Sequence, residues 1–175
     1  INPLRSKYIS DKVDLNGKNV IDVACGGGLL TEAMYECGAT VTGVDISDVA
    51  INTAKIHAKK NNYNVTYING EAEELLNDSK ETFDVVTCLE AIEHVPDPQQ
   101  LVKTCSELCK PGGTIVFSTI NRNPKSFLFA IIGAEYILNL LPKGTHEFKK
   151  FLKPSELSNM MRNSNLEVKE IIGMS

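Results

Sequence analysis

A short apolar run followed by three glycines and a helix constrains the fold of this chain more than any other stretch. Residues 19–28 are N-V-I-D-V-A-C-G-G-G, and a helical pattern begins at Leu29. Glycines at such a turn let the backbone approach a nucleotide closely, because no Cβ stands in the way. A second apolar run, 41–44, ends in Asp45, whose carboxylate can accept both hydrogen bonds of a ribose diol. The pattern predicts a nucleotide held between Gly26 and Asp45.

Strands and helices alternate along the chain, which predicts the α/β class with a Rossmann-like, doubly wound, mostly parallel sheet and right-handed crossovers. The expected strands are 20–23, 40–45, 65–69, 83–89, 114–120 and 166–172, and the expected helices are 4–13, 29–36, 48–60, 72–76, 98–109 and 154–163. After the fifth strand, an apolar stretch and a basic connector predict an inserted lid or membrane-contact segment over 121–153. We expect one domain over 1–175 that continues beyond both ends of the chain.

Composition excludes several classes of function. With 42% hydrophobic and 23% charged residues, the chain is typical of a globular domain. A net charge of −4 argues against nucleic acid, which requires a basic face. The five cysteines form no CxxC pair, which indicates free thiols in a reducing, cytoplasmic compartment. We find no secretory signal and no hydrophobic run of transmembrane length.

The residues around the glycines favour S-adenosylmethionine over a dinucleotide. A pyrophosphate site requires G-x-G-x-x-G, and Leu29 stands where the last glycine would be. Asp22 ends the first predicted strand, where a carboxylate can meet a cationic ammonium. A cofactor that carries an ammonium and a sulfonium suits an acidic site better than a phosphate does. A nicotinamide-dependent oxidoreductase is the alternative that Leu29 disfavours.

Three polar residues, Glu90, Glu93 and His94, follow the fourth predicted strand, and sites in open parallel sheets form at the carboxyl ends of strands. Two carboxylates and an imidazole suit Mg²⁺ or a similar divalent ion. A cation held there would lower the pKa of a hydroxyl group that it binds and would orient that group. Without metal, His94 is a candidate general base, and a purely structural role at a helix start is the remaining alternative.

Four runs resemble the class I methyltransferases: D-V-A-C-G-G-G (22–28), V-T-G-V-D (41–45), F-D-V-V-T-C-L-E-A-I-E-H-V-P-D-P (83–98) and L-C-K-P-G-G-T-I-V-F-S-T-I-N-R-N (108–123). More narrowly, I-N-P-L-R (1–5) and P-K-G-T-H-E-F-K-K-F (142–151) resemble the ubiquinone-biosynthesis O-methyltransferase family. The resemblance implies cofactor contacts at Arg5, Ala24, Asp45 and Leu89, with alanine at position 24 where the family usually has glycine. It also implies that Glu90, Glu93 and His94 bind a divalent cation, and we predict Glu90 and His94 as the catalytic residues.

This resemblance implies S-adenosylmethionine-dependent O-methylation of a polyprenyl catechol or demethylubiquinol in ubiquinone biosynthesis. The apolar segment and its lysines, Lys149 and Lys150 among them, fit an element that contacts an anionic membrane on the inner face of a bacterial inner membrane, or the matrix face in mitochondria. The alternative roles are a helix packed on the sheet and a lid over the site, and His146 either faces the substrate from that lid or is an ordinary loop histidine. A ubiquinone-biosynthesis complex is a further expected partner. The alternatives for the whole chain are a methyltransferase for another small phenol and a cofactor-binding, non-catalytic subunit.

Overall fold

The computed structural model describes residues 2–119 and 152–173. The strands in these ranges are β1 (Asn19–Val23), β2 (Thr40–Asp45), β3 (Thr66–Asn69), β4 (Phe83–Leu89) and β5 (Cys109–Ser118). The helices are α1 (Asn2–Lys12), α2 (Leu29–Glu36), α3 (Asp48–Asn61), α4 (Leu76–Ser79), α5 (Pro98–Leu108) and α6 (Pro154–Asn163). Short 3₁₀ turns lie at Ala72–Leu75 and Ile92–His94.

The strands form one sheet in the order β3-β2-β1-β4-β5. β1 pairs in parallel with both β2 and β4, so that Val20 lies beside Val41 on one side and Val85 on the other. All three side chains are buried, as expected for strands covered on both faces. The predicted α/β sheet is therefore confirmed. Its strand order reverses between β1 and β4, and ligands in such sheets bind at the carboxyl ends of the strands at this switch point.

The chain divides into two compact units, residues 1–89 with 103–117 and residues 90–102 with 118–175. The first unit contains a hydrophobic core in which Val20 and Val85 pack with Ile9 of α1 and Met34 of α2. In the second unit, the side-chain amide of Gln99 donates hydrogen bonds at the end of α6, to the Met160 carbonyl at 3.2 Å and to Ser164 Oγ at 3.0 Å. The expectation of a single domain stays a prediction.

The sixth strand predicted at 166–172 is wrong. The stretch forms no strand, and the Leu166 N–H instead donates to the Met161 carbonyl at the end of α6. Its apolar residues suggest a strand, but a strand requires a neighbour to take its backbone hydrogen bonds. Ile171 and Ile172 are 60% and 45% exposed, so neither lies in the buried core as a residue of a central strand would.

Strand β5 begins at Cys109 rather than at Thr114, where the sequence predicted it. The prediction treated residues 110–113, K-P-G-G, as a break between helix and strand. In the structure this run lies inside β5, and Gly112 accommodates the backbone there at a φ of +78°. Glycine adopts such a conformation without the steric cost that a Cβ brings.

The predicted insertion over 121–153 lies outside the described residues apart from its last two positions, and His146, Lys149 and Lys150 lie outside them as well. Its roles as lid and as membrane contact stay predictions. Within the described part of the chain, no helix combines the length and the apolar character needed to cross a bilayer.

Candidate active site

Asp45 closes the glycine turn from the end of β2. The Gly26 N–H donates to Asp45 Oδ2 at 2.9 Å, and the Ser47 N–H donates to Oδ1 at 2.8 Å. A carboxylate has about four acceptor positions, so each oxygen can accept one more hydrogen bond. The structure therefore brings Gly26 and Asp45 together as predicted, with the capacity to accept the two hydroxyls of a ribose.

Three residues of the turn have left-handed backbone conformations: Ala24 at a φ of +58°, Gly26 at +54° and Gly28 at +81°. A Cβ on Gly28 would collide with the ring of Tyr67, so only glycine fits at this position. Ala24 is exposed and meets no such obstacle, although alanine in this conformation costs roughly 1–2 kcal/mol. Backbone conformation therefore shapes the turn at all three positions, and close packing adds a second constraint at Gly28.

Asp22, in β1, is buried at 2% exposure and is held by two hydroxyl groups. Thr31 Oγ1 donates to its Oδ2 at 2.7 Å, and Thr87 Oγ1 donates to its Oδ1 at 2.6 Å. Burial raises the pKa of Asp22 to about 6, an effect that the two hydroxyls oppose and the charge of Asp45 reinforces. The sequence analysis missed both threonines, and the expected contact between Asp22 and the cofactor ammonium stays a prediction.

This buried carboxyl should make folding stability depend on pH. Because the pKa of Asp22 is higher in the folded than in the unfolded protein, its contribution is fully present at low pH and is lost as the pH rises through the folded value. We expect a loss of about 3 kcal/mol between about pH 4 and pH 7. Urea unfolding over this pH range gives the free energy of unfolding of the wild type and of Asp22→Asn, and the loss is the change in the difference between them. If the two free energies changed in parallel with pH, Asp22 would not be the group responsible.

Cys25, inside the turn, is excluded as a nucleophile. Burial, reinforced by the nearby charges of Asp22 and Asp45, raises the pKa of its thiol to about 12. Only the thiolate is nucleophilic, so Cys25 stays inert near neutral pH. All five cysteines are free thiols, as the sequence predicted.

The remaining expected cofactor contacts also lie in the first unit. Arg5 is half-buried in α1, and Leu89 ends β4 and packs against the hydrophobic core. The sequence analysis missed Ile46, whose side chain is 76% exposed immediately after Asp45. An exposed apolar side chain beside a ribose acceptor can pack against a nucleotide base. Its position directly after the acid was the signal available in the sequence.

Glu90 and Glu93 belong to the second unit, where two consecutive residues at the end of β5 bind them. Ser118 Oγ donates to Glu90 Oε1 at 2.8 Å, and Thr119 Oγ1 donates to Glu93 Oε2 at 2.9 Å. The backbone adds a further link, since the Glu90 N–H donates to the Ser118 carbonyl at 3.0 Å. Glu90 itself has a left-handed φ of +55°. Sequence analysis predicted the two carboxylates but neither of the hydroxyl groups.

The three predicted metal ligands differ in burial. Glu93 is 3% exposed, and its Oε1 has no hydrogen-bond partner among the described residues. Glu90 is half-buried, whereas His94 is exposed. Within residues 2–119 and 152–173, no three His, Cys, Asp or Glu side chains are grouped so that they could hold a metal ion. The expected cluster of Glu90, Glu93 and His94 is thus not assembled in this structure, because one member is buried and another faces outwards.

Known proteins resemble this chain over almost its whole length. The methyltransferase domain family matches residues 4–171. The ubiquinone biosynthesis O-methyltransferase of Nitrosospira multiformis is 56% identical over the entire chain, which covers 73% of that protein, and the protein of the same name from Pseudomonas syringae pv. tomato is 54% identical, with 75% covered. In fold, the chain is similar to a SAM-dependent methyltransferase from Aquifex aeolicus, with a TM-score of 0.74, 13% identity, and coverage of 95% of this chain and 81% of that one.

The sheet with its switch point is the fold of that S-adenosylmethionine-dependent methyltransferase, and the family model and the relatives agree that this chain is a class I methyltransferase. Together they make the chain an enzyme that uses S-adenosylmethionine. It belongs to the ubiquinone biosynthesis O-methyltransferase family.

Proposed function

We propose that this enzyme methylates a phenolic oxygen of a polyprenyl catechol or demethylubiquinol in ubiquinone biosynthesis. The shared name of relatives at more than half identity supports the pathway. The observation that carries the chemistry is the pair of carboxylates, Glu90 and Glu93, that follows β4 and is fixed by hydroxyl groups. A carboxylate is a hydrogen-bond acceptor of the kind that a catechol hydroxyl requires.

Residues of the first unit bind the methyl donor in this proposal. Asp45, fixed by the Gly26 N–H, accepts the ribose hydroxyls, and Ile46 packs against the adenine. Arg5 binds the cofactor carboxylate, for which a guanidinium offers two parallel donors. Leu89 contributes apolar surface, and the carboxyl of Asp22 attracts the positive charges of the cofactor.

The transfer is an in-line displacement. A lone pair of the phenol oxygen forms the new bond to the methyl carbon while the carbon–sulfur bond breaks, and its electron pair returns to sulfur, which leaves S-adenosylhomocysteine. The phenol, with an ordinary pKa of about 10, must lose its proton, and we assign that proton to His94. Glu90 accepts a hydrogen bond from the neighbouring hydroxyl and thereby orients the ring.

A divalent cation such as Mg²⁺ is the narrower part of the proposal. The donor types of Glu90, Glu93 and His94 support it, as does the buried Glu93 Oε1 that lacks a partner among the described residues. When bound, such a cation would lower the phenol pKa. The three side chains are not grouped in the structure, so no step of the mechanism above depends on a metal.

Methyl transfer to a defined catechol tests the function. Purified protein with labelled S-adenosylmethionine and a catechol bearing a short prenyl chain is expected to yield one methylated phenol. Asp45→Asn should raise the Kd of S-adenosylhomocysteine about tenfold or more, because a neutral amide is the weaker acceptor. For the narrower, metal-assisted form of the proposal, exhaustive dialysis against EDTA should abolish turnover, and added Mg²⁺ should restore it.

Each outcome bears on a different part of the proposal. Absence of transfer to any catechol would refute the function. Equal rates on catechols with and without the prenyl chain would favour a smaller phenol as the substrate. Full activity after EDTA treatment would refute the role of a divalent cation and would leave the metal-free mechanism as the proposal.

A further inference from the structure

We propose that Ser118 and Thr119 are positioning residues for methyl transfer: their hydroxyls hold the carboxylates of Glu90 and Glu93 in the orientation that the reacting catechol requires. The inference rests on the proposed function and adds two residues that neither the motifs nor the resemblance singled out. It holds whether the reacting phenol or a cation meets the carboxylates, because the hydroxyls act on the carboxylates themselves.

The geometry at Glu90 is the first support. Ser118 binds this residue twice, through its carbonyl to the Glu90 N–H at 3.0 Å and through its hydroxyl to the Glu90 carboxylate at 2.8 Å. Glu90 has a φ of +55°, a conformation that L side chains rarely adopt. Such backbone strain persists only where the surroundings hold it, and it concentrates at functional sites. Ser118 stabilises both the backbone and the side chain of Glu90 through these two hydrogen bonds.

The geometry at Glu93 is the second support and is independent of the first. The carboxylate is buried, Thr119 donates to Oε2 at 2.9 Å, and Oε1 has no partner among the described residues. Buried polar atoms in proteins are nearly always paired, so Oε1 is expected to have a donor outside the described residues. Thr119 fixes Oε2 and thereby directs Oε1 at that donor, which in this proposal is the reacting catechol or a bound cation.

The expected effect is one on turnover. Loss of a group that orients a functional side chain typically lowers activity 10–100-fold. We therefore expect Thr119→Val, which keeps the shape and removes the hydroxyl, to reduce kcat about 10–100-fold at an unchanged KM for S-adenosylmethionine. Thr119→Ser, which restores the hydroxyl, should recover most of kcat. Ser118→Ala should behave like Thr119→Val, and Ser118→Thr like the wild type.

A matched control separates positioning from stability. Thr114 is an exposed threonine of the same strand, so Thr114→Val makes the identical chemical change away from the carboxylates and should leave kcat unchanged. The free energy of unfolding is measured for every variant as a function of temperature. These values show at which temperature all the variants are folded. Turnover is then compared there, with S-adenosylhomocysteine binding measured by calorimetry as a readout independent of the chemical step.

Two results would overturn the inference and leave the proposed function intact. Wild-type kcat in folded Thr119→Val and Ser118→Ala would show that the hydroxyls serve stability alone. A loss of kcat that Thr119→Ser does not restore would show that the hydroxyl is not what matters. A wild-type enzyme that methylates no catechol would refute the proposed function, and this inference would fail with it.

Discussion

Replacing both Glu90 and His94 by alanine is expected to abolish methyl transfer while the protein still binds S-adenosylhomocysteine. The two residues are the proposed hydrogen-bond acceptor and general base, and loss of acid–base groups of this kind costs on the order of 10²–10⁴-fold in rate. All the residues expected to bind the cofactor lie instead in the first compact unit. Single-turnover methyl transfer measures the chemistry, and calorimetric titration with S-adenosylhomocysteine measures binding.

Two further variants make this experiment specific. Glu90→Gln keeps the size of the side chain and an oxygen for the Ser118 hydroxyl, so it removes charge with little change of shape. Glu167 is exposed in the stretch after α6, and Glu167→Ala serves as the matched loss of a carboxylate elsewhere. A double mutant of Glu90 and His94 that turns over at the wild-type rate would refute both roles.

Gly28→Ala is expected to lower the free energy of unfolding by about 3 kcal/mol or more. This is the largest effect that we expect from an alanine substitution in the glycine turn. Two costs add at this position. A residue with a Cβ is strained at a φ of +81°, and that Cβ would collide with the Tyr67 ring. Tyr67 is itself buried, in a cluster with Ile51, Ala54 and Ala58 of α3, so the ring has little room to move. Urea unfolding followed by circular dichroism measures the change.

The adjacent glycines provide the controls. A Cβ on Gly27 meets nothing within 4 Å, and its backbone is not left-handed, so Gly27→Ala should leave stability nearly unchanged. Gly26 has the same open surroundings but a φ of +54°, so Gly26→Ala should cost roughly 1–2 kcal/mol. Equal effects at the three positions would contradict this account of the turn.

The fold was predictable where burial alone determines local structure. The ranges predicted for β2, β4 and α2 match the structure, because the strands carry buried β-branched residues and the helix is recognised by its period. The same reasoning was wrong for 166–172. Apolar residues indicate that a segment can form a strand. They do not show whether a neighbouring strand is available to take its backbone hydrogen bonds.

The sequence predicted the site residues that are ionisable and follow a strand. It did not predict the side chains that hydrogen-bond to them. Asp45, Glu90 and Glu93 stand out in the sequence because each closely follows an apolar run. The hydroxyls that hold the buried carboxyls, on Thr31, Thr87, Ser118 and Thr119, come from other parts of the chain, and serine and threonine are too common to be identified from one sequence. Burial is equally hidden, since no pattern around Glu93 shows that one of its oxygens is enclosed.

Ala24 has a consequence for the ligand-free enzyme. A glycine at this position would adopt the same left-handed conformation without a steric cost. Alanine at a φ of +58° is held against its own preference for negative φ, so the surrounding turn must supply the free energy that keeps it there. The enzyme thus bears, in its folded stability, a cost that a glycine-containing turn would not bear.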